Sequence, residues 1–180
     1  MGALIGMTLS ACGKPGPSRD LQELVTTAEG QAEHAATSAV RICKPDHEVD
    51  LGAHASAAAQ AYGPLFSILA LCARSAACVD PGTLPAWVEE RKSLPDAERS
   101  WAEKTRAALA KVLGSKPPAA RREAFARLYD AGAVTMPAAA KVIAICGNPA
   151  RSGEVSLALA ELDAKRAALR AEAIAVRKLP

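Results

Sequence analysis

Apolar positions recur along this chain at spacings of three and four, the period of an α-helix that packs on one side. The clearest run is Leu21, Val25, Ala28, Ala32, Ala35, Ala39 and Ile42, a heptad-like seam that predicts a helix over residues 18–43. Ser18 is placed to cap it, Asp20 and Glu23 suit the positive end of its dipole, and Lys44-Pro45 ends it. A second seam, Val155, Leu159, Leu162, Leu169, Ala173 and Val176, is interrupted only by Arg166 and predicts a last helix over 152–178. Between them the pattern gives a stretch over 53–77 with a break or kink at Gly63-Pro64, and a short helix over 85–93. Further helices are predicted over 96–113, closed by Gly114, over 119–131, ended by Gly132, and over 137–146, closed by Gly147-Asn148-Pro149. The run from Leu65 to Leu71 is apolar on nearly every side and fits a central buried helix. No segment alternates as a strand does. The fold class is therefore all-α: a helical bundle of about six to seven helices, disulfide-linked, forming a single domain over residues 18–180.

Composition changes the picture of the core. Half of the 180 residues are hydrophobic but only 3% are aromatic, and roughly a quarter are Ala. Alanine favours helix and close helix packing, yet each buried Ala removes little apolar area from water. Such a core is thin and gains from long helices and covalent cross-links. The net charge is +3, from 22 basic and 19 acidic residues interspersed along the helices. Pairs such as Arg121-Arg122 and Lys165-Arg166 are too small for a polybasic patch, so no nucleic-acid partner is expected. No apolar run approaches the ~20 residues needed to span a bilayer. Membrane contact, on this reading, comes from the N-terminus.

Residues 1–11, MGALIGMTLSA, are apolar or small and uncharged, and read as a signal peptide. They end in Leu9-Ser10-Ala11-Cys12, which resembles the lipobox of bacterial lipoproteins. The resemblance implies cleavage before Cys12, a diacylglyceryl group on its thiol, and a lipid anchor for the mature chain. The first basic residue, Lys14, follows the cysteine, which places the expected start of the signal upstream of Met1. Gly13 rather than Asp follows Cys12, and by the same resemblance this favours the outer membrane over the inner. Residues 12–17 carry the lipidated cysteine and a short Gly/Pro tether.

Four cysteines remain: Cys43, Cys72, Cys78 and Cys146. An even number in an exported chain predicts two disulfides, with three pairings open. The spacings hold no CxxC or CxxCH, which removes redox, zinc-knuckle and haem motifs. One internal echo stands out: Ile42-Cys43 and Ile145-Cys146 each end a helix shortly before a proline.

Chemistry is sparse. Asp46-His47-Glu48-Val49-Asp50 with His54 is the nearest approach to a metal site, with His47, Asp50 and His54 as weak ligands, but no ligand spacing is present. The simpler account is a solvated loop in which Asp50 caps the next helix. His34, between acidic neighbours, reads as a surface histidine. Trp87 and Trp101 fit core packing, or more sharply an aromatic anchor for a partner. No GxSxG, P-loop, GxGxxG or HExxH is present, so no catalytic residue, cofactor or enzyme activity is expected. In size, lipobox and helicity the chain resembles pilotins and accessory subunits of envelope-assembly machines. That implies an outer-membrane-anchored domain, in the periplasm or at the cell surface, working through an envelope protein partner. A small-ligand or metal-binding helical protein is the alternative.

Overall fold

The computed structural model describes residues 18–44, 49–75, 89, 92 and 94–179, and every statement below concerns these. They form five α-helices: α1 (Arg19–Ile42), α2 (Val49–Ser75), α3 (Asp96–Leu113), α4 (Ala119–Cys146) and α5 (Val155–Arg177), with a 3₁₀ turn at Pro149–Glu154 before α5. No strand occurs among the described residues, so the all-α class stands. The expected short helix over 85–93 falls largely outside them. Ser18 caps α1 as its type predicts, its hydroxyl accepting from the Leu21 amide at 3.3 Å. All seven residues of the α1 seam are buried.

Among the described residues one expected boundary is absent: Gly132 and Pro137 do not interrupt α4, so two expected helices are one, and Gly63-Pro64 does not break α2. Gly132 is there for space. A Cβ at that position would stand 2.4 Å from Cδ1 of Phe66, so the fully buried Phe66 ring lies directly against the α4 backbone. The two prolines share one explanation. Each frees the carbonyl four residues before it, on Gln60 and on Ala133. Pro64, Pro137, Gln60 and Ala133 all line one open groove of about 320 Å³ between α2 and α4, so the freed carbonyls belong to residues that border open space. With their breaks removed, Gly52–Ser75 and Ala119–Cys146 are each long and apolar enough to cross a membrane by length and composition. This corrects the expectation that no such stretch exists. Of their most apolar windows, 50% and 61% is buried inside the fold, as core helices of a bundle would be.

Helix α4 is the hub, packing on α2, α5 and α1, while α3 lies against α1 and α2. Cys43 and Cys146 are joined, so the two echoing Ile-Cys helix ends are bonded to each other across 103 residues, with Cα atoms 5.0 Å apart. From that pinned end α5 runs back along α1. Arg166, the apparent flaw in the α5 seam, donates to Glu33 of α1 at 2.7 Å, Arg170 donates to the other Glu33 oxygen at 2.7 Å, and Arg177 reaches Glu29 at 2.6 Å. Burial pushes the Glu33 carboxyl up, but the hydrogen bonds and charges of Arg166 and Arg170 outweigh it and hold it below the ordinary carboxylate range. On its other side α5 meets α4 through Lys141–Glu161 and Arg127–Glu172.

Two substitutions test this packing. Gly132→Ala should destabilise the domain by about 1–3 kcal/mol, despite the better helix propensity of Ala, because Phe66 has no room to retreat; denaturant melts that show a gain would disprove the close approach. Leu162, fully buried in α5, should cost ~2–5 kcal/mol as Leu162→Ala, whereas Glu161→Ala, losing one exposed ion pair, should cost less than about 1 kcal/mol. Equal small losses from the two would mean that α5 is not docked.

Candidate functional site

The first turns of α1 and the middle of α3 enclose a groove of about 350 Å³. Helix α1 contributes Asp20, Glu23, Leu24 and Thr27, and α3 contributes Trp101, Lys104, Thr105, Ala108 and Lys111. The spacing explains the lining: residues three, four and seven apart share a helix face, so the i, i+3, i+4, i+7 set on each helix looks at the other. Lys111 bridges the two walls through Asp20 at 2.7 Å. The groove thus offers both signs of charge above an indole.

Trp101 belongs to the only ring cluster among the described residues. Its ring meets Tyr62 edge-on at 5.0 Å and Phe66 at 5.5 Å, and Phe66 in turn lies 6.0 Å from Tyr129. Core packing is therefore the better account of Trp101, with one side left on the groove. Two polar atoms in this cluster are left unpaired. The indole Nε1 of Trp101 and the hydroxyl of Tyr129 are both buried without a hydrogen-bond partner. Burial pushes the Tyr129 phenol far above its usual range. Burial, with the Glu98 carboxylate adding to it, raises Tyr62 more modestly. These phenols stay protonated and cannot serve as bases.

The residues singled out by sequence are distributed otherwise. Cys12, Cys78, His47 and Trp87 lie outside the described residues. Cys43 and Cys146 form one disulfide, and Cys72, buried on α2, is also disulfide-bonded, to a partner outside the described residues. Helix α2 starts at Val49, four residues earlier than expected, so Asp50 sits in its first turn and is not the cap. His54 is exposed on α2 and His34 is exposed on α1. No three His, Cys, Asp or Glu side chains come together as metal ligands among the described residues. The α1–α3 groove was not foreseen. Its walls are some 80 positions apart in sequence, and nothing local in either helix marks the other as its neighbour. A second hollow, about 510 Å³, lies beside the disulfide between Ile42, Ser56, Ile143 and Cys146.

Comparison with protein-family models, with curated proteins and with solved structures finds no match to this chain.

Proposed function

We infer that the chain is a lipid-anchored protein of the bacterial cell envelope, held to the outer membrane through Cys12 and acting through contacts with a protein partner. The observation that carries this reading is the Cys43–Cys146 disulfide together with the disulfide-bonded state of Cys72. Stable disulfides belong to oxidising compartments outside the cytosol. That agrees with export directed by Leu9-Ser10-Ala11-Cys12 and with a thin, alanine-rich core in need of cross-links. Large apolar side chains left in solvent, Leu71, Val134, Leu157 and Ile174, give the domain surface with which to meet a partner. A second reading rests on the α1–α3 groove. Its indole floor and mixed charges suit a small amphipathic ligand such as a zwitterion, whose binding would quench Trp101 fluorescence.

Two measurements test the anchored reading. Cells expressing the chain should incorporate a fatty-acid analogue into it, and Cys12→Ser should abolish that label; label that persists in the variant rejects Cys12 as the anchor. The mature domain should also show no free thiol among Cys43, Cys72, Cys78 and Cys146 by mass spectrometry before reduction. Loss of the long-range bridge in Cys43→Ala/Cys146→Ala should cost up to ~4–5 kcal/mol, as expected for closing a loop of about 100 residues. Four alkylatable thiols in protein isolated from the envelope would overturn the compartment assignment.

A further inference from the structure

The solvent side of α5 carries a second heptad seam. Leu157, Ala160, Ala164, Ala167, Ala171 and Ile174 recur at spacings of three and four, and every one of them is exposed. Leu157 is 74% exposed and Ile174 50%. At about 100° per residue this seam lies opposite the stripe of Leu162, Leu169 and Ala173 that α5 buries against α1 and α4. A helix with one docked seam needs only one to stay in place, so the outer one asks for its own explanation.

We propose that this outer seam is an interface with a second copy of the chain, packed antiparallel about a two-fold axis centred between Lys165 and Arg166. The pattern is self-complementary under that operation. Leu157 of one copy meets Ile174 of the other, Ala160 meets Ala171, and Ala164 meets Ala167. Large side chains close both ends, and small ones in the middle let the helix axes approach to about 8 Å, the near end of the usual range. Charge selects the direction. Asp163 and Arg170 lie on the same flank of the seam with side chains 69% and 53% exposed. Antiparallel pairing sets Asp163 of each copy against Arg170 of the other, twice by symmetry. Parallel pairing would set them against Ala168 and Ala175 and gain nothing. The strip from Leu157 to Ile174 is roughly 26 Å long at ~1.5 Å per residue and is narrow, so the dimer is reversible, at the small end of specific interfaces. This pairing requires no lipid and stands independently of the anchored reading.

The test uses the whole chain carrying Cys12→Ser, which sediments in water whether or not the native protein is lipidated. Sedimentation equilibrium should show a monomer–dimer exchange. Ala164→Glu, which places two like charges beside the two-fold axis, should weaken it by roughly a hundredfold or more while leaving helicity unchanged. Leu157→Cys/Ile174→Cys should trap a covalent dimer whose linked peptides join position 157 to position 174. A chain monomeric to millimolar concentration overturns the proposal. So does a dimer indifferent to Ala164→Glu, or cross-links of 157 to 157. A monomer that instead binds lipid vesicles through this face would overturn it in favour of a membrane surface.

Discussion

The contact on which this fold depends is the Phe66 ring laid against the backbone of α4 at Gly132. An alanine-rich bundle has little apolar volume to bury, so its few large side chains must sit where helices cross. At Gly132 a side chain has been removed altogether to admit one. The ring then meets Tyr129 and Trp101, and through Trp101 it reaches Tyr62, so a single opening in α4 organises most of the aromatic surface in the described core. Alanine elsewhere follows from the same constraint: Ala28, Ala32, Ala36 and Ala39 on α1 are wholly buried, which brings helix close to helix. Packing at that distance leaves little slack.

A thin core shifts weight to other forces. The disulfide fixes the ends of α1 and α4, and the Glu33–Arg166–Arg170 cluster fixes α5 against α1 further along. Exposed ion pairs usually contribute little, but Glu33 and Arg166 are each about one-fifth exposed, bonded twice and shielded from most solvent. Arg166 is thus the point at which the apolar seam of α5 changes to polar attachment. Its pairing needs Glu33 where α1 places it. The antiparallel order, with Glu33 taking Arg166 and Arg170 and Glu29 taking Arg177, sets the direction of α5 as well as its position.

Where the chain has one dominant local signal, the sequence reads through to the structure. The α1 seam, the Ser18 cap and the ends of α3 at Asp96 and Leu113 are all local, and all match. Gly132, Pro137 and Gly63-Pro64 misled because their breaking tendency is also local, while the reasons they are tolerated lie on another helix. Gly132 answers to Phe66, 66 positions away, and the prolines answer to a groove between two helices. The Ile-Cys echo was visible, but pairing Cys43 with Cys146 needs the fold. The α1–α3 groove was invisible for the same reason. The outer seam of α5 was in plain view, interleaved in sequence with the Leu-rich seam on the opposite face of the helix.

The directions of the helices give the molecule two distinct ends. Helix α1, about 36 Å long at ~1.5 Å per residue, begins at the Ser18 cap and finishes at the disulfide. The Asp20–Thr27 wall of the groove occupies its first turns, whereas the hollow beside Cys146 lies at the far end. Five residues separate Cys12 from Ser18, and the six steps between them give a covalent reach of at most ~20 Å. On the anchored reading, the indole groove then lies near the bilayer and the disulfide points away from it. Because α5 runs antiparallel to α1, a two-fold dimer through its outer seam, with its axis perpendicular to α5, would send the second copy's anchor in the opposite direction. Anchoring in one membrane and this dimer therefore compete, unless the tether is long enough to lay both domains flat.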